Sequence, residues 1–390
     1  MYPGARRPSS RLTTMRILLV DSSLFTPPYD LHLGEGLAAL GHEVELFGRR
    51  LRKNESASSE TVRFSPFFYR LSDPLRDSWA FGRSLKLAEL PLDAIRFVNH
   101  VRRLRPDVVH FQWLSIPLID LWIVNRLKAM GIKVVMTVHD TNPLNDAARS
   151  IAQLFGWRQV LQRFDTLIVH TETSQRRLLE MGVTVPISII PHGLLQFGAP
   201  VQKSHDENVL LLFGSIKHYK GLDLLLQAFE RMKVSARLRV VGAPRDSAPY
   251  LEMLASMKKR DCVELDFRFF DNQEIPSLMA DASLVVFPYR LIDGSGALLT
   301  ALAYGKPFVA TDVGMFKELA GESSPSLVPV GNIDALASRM DEVLSDLPRF
   351  QKISDRIRES IPGWKEIAAM TLEAYGANER CLTERPLSSL

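Results

Sequence analysis

Cysteine is scarce in this 390-residue chain: Cys262 and Cys381 stand far apart and in no metal-ligand spacing. That excludes a disulfide framework and a readable zinc site, and free thiols fit a reducing cytosol. Long apolar runs are missing as well. A membrane-spanning helix needs about 18 apolar residues in a row; the richest window, Val108 to Val124, is broken by His110 and Asp120. The basic N-terminus MYPGARRPSSRLTTM is followed only by Ile17 to Val20 before Asp21, too short for a signal-peptide core. The expectation is a cytoplasmic protein, not integral to a membrane, with residues 1–14 a disordered extension and Met15 a candidate start. A G-x-G-x-x-G fingerprint is absent from the first strand-turn-helix, which argues against a nicotinamide oxidoreductase.

What is present is ordinary globular material, 46% hydrophobic and 24% charged, long enough for two domains. The first half alternates strand and helix patterns. Strand patterns run over Ile17 to Val20, Glu43 to Phe47, Val108 to Phe111, Lys133 to Val138, Thr166 to Val169 and Ile187 to Ile190. Helical spacing falls near Leu31 to Leu40, Leu92 to Leu104, Ile116 to Met130 and Ala147 to Phe164, and after Thr173. Such alternation predicts a parallel sheet covered on both faces. Arg49 to Pro91 breaks the rhythm and reads as an insertion. Gly198, Pro200, Lys203 and Asp206 mark a linker, after which Val209 to Phe213 opens a second strand-helix series. The predicted fold class is α/β with two Rossmann-like domains, residues 15–195 and 209–362, joined by a linker over 196–208. A crossover helix and tail over 363–390 follow.

Charge is uneven. Arg49 to Arg105 holds 13 Lys or Arg against 6 Asp or Glu, a local excess of +7 in a chain of net charge +4. Phe64, Phe67, Phe68, Tyr69, Trp79, Phe81 and Phe97 lie in the same stretch. Mixed basic and aromatic surface suits an anionic leaflet, so an anionic membrane surface is an expected partner. No nucleic-acid motif accompanies the charge, and no nucleic acid is expected.

The most informative segment is Asp281 to Glu318, where an apolar strand over Leu284 to Phe287, the turn Gly294-Ser295-Gly296, a helical pattern and a second strand succeed one another. Backbone N–H groups of Ser295, Gly296 and Ala297 are predicted at a helix N-terminus, where open donors and the positive dipole end favour phosphate. Earlier, Gly214-Ser215-Ile216-Lys217-His218-Tyr219-Lys220-Gly221 also links a strand to a helix and places two lysines at the carboxyl edge of the second sheet.

These stretches resemble GT-B glycosyltransferases of the large, mostly retaining family 4. Ala282 to Pro288, Gly294 to Gly296, Leu299 to Pro307 and Thr311 to Glu318 match the aDlvvlPS, glycine-turn, LEAMAxGxPVvat and dvGGxpE phrases, and Gly214 to Gly221 matches vGrlxxxKG. The resemblance is strong over Val209 to Leu344. It is weaker over the first half, where GHEVELF, RPDVVHFQW and KVVMTVHDTNP look like family phrases. It implies a cleft between facing domains and transfer of a sugar from a nucleotide-sugar co-substrate to a glycan or lipid-linked acceptor, in cell-envelope or exopolysaccharide assembly. It implies a retaining course and no cofactor. No metal is implied either, since no Asp-x-Asp triplet is present and fixed cations can do its work. The alternative is a non-catalytic sugar-nucleotide or glycan-binding subunit.

The resemblance also assigns residues. Lys220 matches the lysine on the donor diphosphate, with Lys217 beside it, Gly214 in the same turn, and Ser215 where relatives carry arginine. Gly294, Ser295, Gly296 and Ala297 complete the phosphate side. Gly242 and Phe269 match places that hold the base, and Gly314 a close backbone approach to ligand. Glu318 matches a glutamate at the donor sugar or its loop. The family's two glutamates, seven residues apart between them, are replaced by Ile292 and Thr300; Thr300 keeps one hydroxyl, and Asp293 is a partial substitute for the first. His139 resembles a histidine near the donor sugar, and His139 or Asp140 would be the base of an inverting course. Asp30, in a first βα loop with two prolines in place of a Gly-Gly pair, and His110, after a strand, are assigned to the acceptor side.

Overall fold

The structure, a computed structural model, describes residues 14–52, 59–73, 79–141, 156–201 and 207–376. Seven strands form the first sheet: β1 (Arg16–Asp21), β2 (Glu43–Arg49), β3 (Val62–Phe68), β4 (Val108–Phe111), β5 (Lys133–Thr137), β6 (Thr166–Val169) and β7 (Ile187–Ile189). Their order is β3-β2-β1-β4-β5-β6-β7, all parallel. The second sheet has β8 (Val209–Phe213), β9 (Arg237–Val241), β10 (Val263–Asp266), β11 (Leu284–Phe287), β12 (Phe308–Thr311) and β13 (Leu327–Val328), ordered β10-β9-β8-β11-β12-β13 and again parallel. In each sheet the order reverses direction once, between β1 and β4 and between β8 and β11. Loops leave opposite faces there and open a crevice at the carboxyl ends of the strands.

Alternating side chains divide the cores. Leu210 and Leu212 of β8 pack with the helices Leu222–Arg231 and Ile333–Ser345. Leu211 and Phe213 face the other way, toward Leu298, Leu299 and Leu302 of the helix Gly296–Ala303. The final helix Trp364–Ala374 returns to the first domain, where Ile367, Ala368, Leu372 and Tyr375 join Ile17, Leu19, Leu33 and Leu37. Gly36 permits the approach, since a Cβ there would lie 2.5 Å from the Trp364 carbonyl.

The stretch expected to be an insertion belongs largely to the fold. β3 pairs with β2 as the edge strand, which is why Pro66 is tolerated within it, and the helix begins at Trp79 and runs through Pro91 to Leu104. Its aromatics serve the core: Phe68, Tyr69 and Phe97 are buried, and Phe67 packs against them. Half of the expected helix Ala147 to Phe164 lies outside the described residues, which show Trp157–Leu161. Much of the expected linker and residues 1–13 also lie outside them. Among the described residues no helix is long and apolar enough to cross a membrane.

Candidate active site

After β8 the chain turns through Gly214, whose φ of +98° is a left-handed conformation, and enters a short helical turn, His218–Lys220. Gly242 is needed opposite it, because a Cβ at Gly242 would overlap the Gly214 carbonyl. Its permissiveness therefore serves loop packing after β9. Arg290, just beyond β11, fixes the turn by donating Nη1 to the His218 carbonyl at 2.9 Å and gripping Asp223 with two hydrogen bonds of 3.0 and 2.6 Å. The Arg290 backbone N–H also donates to the Tyr219 carbonyl at 2.7 Å.

Held in this way, Lys220 is buried, 8% exposed, with Nζ 5.4 Å from the Tyr289 ring centroid and beside Gly214. No carboxylate or carbonyl of the described residues bonds that ammonium. Burial, and secondarily Lys217, push its pKa down to about 8. A cation built into the carboxyl edge of a sheet without a counter-ion fits an anionic ligand. Lys217 and Ser215 stand exposed on the same loop.

The glycine turn is more constrained than its sequence suggests. Ser295 caps the helix Gly296–Ala303 by accepting from the Leu298 N–H at 3.2 Å. Its own N–H is directed at Met315 Sδ, 3.3 Å away, so the open donors of this terminus are those of Gly296 and Ala297. Thr300 is buried, and its hydroxyl donates one turn back to the Gly296 carbonyl at 2.8 Å. Ile292 lies in the apolar cluster with Tyr289 and Phe316. Gly314, φ +45°, is required because a Cβ there would overlap the Ile292 carbonyl, so its close approach is to residue 292.

The carboxylate beside this turn bridges the domains. Asp293 is buried, pairs with Arg177 Nη1, and accepts from the Thr141 N–H at 2.6 Å and the Thr141 hydroxyl at 2.5 Å. Glu318 does likewise, accepting from the N–H groups of Glu172 and Thr173 at 2.8 and 2.9 Å at the start of the helix Glu172–Glu180. A carboxylate there satisfies orphan donors and meets the positive dipole end. Both acids are therefore occupied in holding the two halves together.

On the first domain, His139 follows β5 and His170 follows β6. His170 Nδ1–H donates to the Ile190 carbonyl at 2.9 Å, so its Nε2 accepts from His139 Nδ1–H at 3.1 Å. His139 Nε2 is then a lone-pair acceptor, 3.1 Å from the Gln112 amide. Turning the amide nitrogen toward it also supplies the partner that Gln112 Nε2 otherwise lacks. Tyr29 sits amid this group, its ring centroid 4.7 Å from His139, 5.3 Å from His170, 4.8 Å from His192 and 5.3 Å from Trp364. Asp140 is half-buried next to His139.

His110 is enclosed, bonding the Tyr375 hydroxyl at 2.7 Å and the Thr137 hydroxyl at 2.8 Å, so both ring nitrogens are used inside the fold. Asp30 is likewise buried; desolvation, then the Asp21 carboxylate beside it, hold its carboxyl well above the usual range. Phe269 is 80% exposed, whereas Phe270 packs toward Phe213. Sequence reasoning missed His170, Arg177 and Thr141. His170 had a legible signal, its place directly after a strand, as for His139.

Burial drives the pKa of His110 and His192 to about 3 and that of His170 to about 4, and His139 is also lowered. An unfolded histidine titrates near about 6.5, so below that pH the unfolded chain binds more protons and is favoured. Thermal midpoints are expected to fall steadily from about pH 6.5 toward 4; a flat profile by circular dichroism across that range contradicts the neutral cluster.

Two Rossmann-like units that meet across a crevice, with a buried lysine and an open helix N-terminus at the edge of the second, have the GT-B architecture. Residues 28–193 match the Glycosyl transferase 4-like domain and residues 207–346 match Glycosyl transferases group 1, and the chain belongs to this group of glycosyltransferases. It is 24% identical to the MMP alpha-(1->4)-mannosyltransferase of Mycolicibacterium hassiacum, over 89% of this chain and 93% of the relative. It is 26% identical to the GDP-mannose:glycolipid 4-beta-D-mannosyltransferase of Xanthomonas campestris pv. campestris, over 61% of this chain and 72% of the relative. In fold it is similar to sucrose-phosphate synthase from Thermosynechococcus elongatus, with a TM-score of 0.71 at 20% identity, covering 94% of this chain and 100% of that one.

Proposed function

We propose that the enzyme transfers a mannosyl unit from a nucleotide sugar to a lipid-linked glycan, without a metal. The observation that carries this reading is Lys220, a buried ammonium with no counter-ion among the described residues, on the same sheet edge as the open N–H groups of Gly296 and Ala297. As the glycosidic bond breaks, the departing nucleoside diphosphate gains negative charge. A fixed cation and oriented N–H donors stabilise that charge more in the transition state than in the ground state. Among the described residues no group of three or more His, Cys, Asp or Glu converges to hold a metal ion. The mannosyl and glycolipid terms rest on the names of the relatives.

The retaining course implied by the family resemblance lets the departing phosphate accept the acceptor's proton. In a second reading, an inverting course, His139 is the base, its Nε2 exchanging the Gln112 amide for the acceptor hydroxyl. Product anomeric configuration by NMR decides between them. A thermal-shift screen over UDP-, GDP-, dTDP- and ADP-sugars tests the donor, because a ligand that binds only the folded state raises its stability. GDP-mannose is expected to give the largest shift; no shift with any sugar nucleotide defeats the reading.

The acceptor's lipid is met at a membrane surface by the stretch over residues 49–105. There Leu51, Leu71, Leu92 and Ile95 are exposed among the exposed Arg50, Arg63, Arg70 and Arg96. Each basic residue near an anionic leaflet adds about 1 kcal/mol of attraction. Co-sedimentation is expected with phosphatidylglycerol vesicles and not with phosphatidylcholine; equal recovery with both removes the electrostatic docking.

A further inference from the structure

The loop after β1 holds a large aromatic side chain in the open. Phe25 is 64% exposed, yet its backbone is fixed from several sides. Asp21 Oδ2 accepts from the Phe25 N–H at 2.6 Å and the Thr26 N–H at 2.9 Å, and the Leu24 N–H donates to the Asp21 carbonyl at 3.1 Å. Arg49, fully buried, donates Nε to the Ser23 carbonyl at 2.9 Å. Leu24 takes a left-handed φ of +49° and is buried in space that only a glycine at position 48 leaves free. Such a backbone is costly for a leucine and persists only where its surroundings impose it. The result is a rigid loop that keeps Phe25 out of the core.

Phe25 does not stand alone. Its ring meets Trp113, after β4, edge-on at 5.3 Å and 65°, and Trp113 is anchored by Nε1 donating to the Thr26 hydroxyl at 3.0 Å. Trp113 in turn stacks on His139 at 5.3 Å and 17°. Phe25, Trp113 and His139 therefore form a continuous aromatic series from the exposed loop to the cleft. Its inner end lies at the domain junction, since a Cβ on Gly294 of the glycine turn would be 3.8 Å from the His139 carbonyl. The loops carrying Phe25 and Trp113 flank the β1/β4 switch point, and the hydroxyls of Ser22 and Ser115 lie 2.6 Å from each other between the same two loops.

We infer that Phe25 and Trp113 form a stacking platform for a pyranose ring of the acceptor. This rests on the transferase reading and deepens it by naming what the first-domain side of the cleft grips. A pyranose offers an apolar C–H face for the rings and hydroxyls on its rim for the neighbouring polar groups. Few-residue aromatic surfaces with a small number of polar groups beside them are how ligand sites combine affinity with orientation. The exposed Phe25 ring and the half-buried Trp113 stand beside the hydroxyls of Thr26, Ser22 and Ser115, and polar groups next to an aromatic surface favour a sugar over the lipid tail.

Saturation-transfer NMR on the full chain with methyl α-mannopyranoside, methyl α-glucopyranoside and cellobiose tests this, with Phe25→Ala and the conservative Phe25→Tyr compared. Ring C–H protons of at least one sugar are expected to saturate with the unsubstituted protein and Phe25→Tyr. Affinity is expected to fall about tenfold with Phe25→Ala, while stabilisation by GDP is unchanged. Equal saturation with Phe25→Ala, or none of any sugar with the unsubstituted protein, overturns the platform. Failure of the transferase reading appears separately, as absence of turnover and of stabilisation by any sugar nucleotide.

Discussion

Replacing Lys220 with methionine is expected to lower transfer by about 100- to 1,000-fold, the cost of removing one preorganised charge-stabilising group. Fold integrity should survive, because the stem packs as before and the buried charge is a liability to the unliganded protein. The lysine's folded pKa of about 8 lies below its unfolded value. Between about 8 and 10.4 the unfolded chain therefore binds more protons, and stability without ligand should rise with pH across that window. The methionine variant should lack this rise. Donor affinity should move oppositely, weakening above about pH 8 as the ammonium is lost from the unliganded enzyme. Steady-state kinetics and denaturant melts at matched pH separate the two signs; near-normal turnover by the variant removes Lys220 from the diphosphate.

The second large effect concerns the junction between the domains. Asp293→Asn leaves the shape of the turn but removes the charge that Arg177 faces and weakens acceptance from Thr141. Buried ion pairs broken on one side cost about 3–5 kcal/mol. Arg177 is partly exposed, so screening reduces this to about 1–3 kcal/mol. That corresponds to a fall of about 5- to 150-fold in the ratio of closed to open molecules. Small-angle scattering should show an expanded form, and a double-mutant cycle with Arg177→Met should show coupling. An unchanged scattering profile with additive effects on stability contradicts the latch.

Much of the architecture was legible because parallel sheets buried on both faces leave strong sequence marks. Runs such as Val209–Phe213 and Leu284–Phe287, each followed by helical spacing, mark buried strands directly. β3 was not legible, because Pro66 and the polar positions of an edge strand imitate a loop. For the site, the lysine turn and the glycine turn were visible as strand-turn-helix junctions. Their couplings were not. The Ser295 N–H finds a sulfur twenty residues ahead, and Asp293 and Glu318 find partners in the other domain. Contacts of that sequence separation leave no local pattern. The same holds for His110, whose partners on β5 and just past the last helix withdraw it from the cleft.

The departures at Ile292 and Thr300 are resolved in one direction. Ile292 is part of the core, and the hydroxyl of Thr300 is committed to its own helix. In the proposed reading the pocket keeps a cation and two open N–H groups for phosphate, while the nearby acid joins the two domains. Specificity for the sugars then falls more heavily on the first domain, where the histidine and aromatic groups converge.

Calorimetric binding of GDP to the unsubstituted enzyme and to Lys220→Met, at about pH 7 and about pH 9.5, tests the central claim most directly. The account predicts an affinity at least about tenfold weaker in the variant at the lower pH, about 1.4 kcal/mol or more. It also predicts a loss of affinity on raising the pH in the unsubstituted enzyme that is absent from the variant. Equal affinities at both pH values would show that the buried ammonium does not hold the diphosphate.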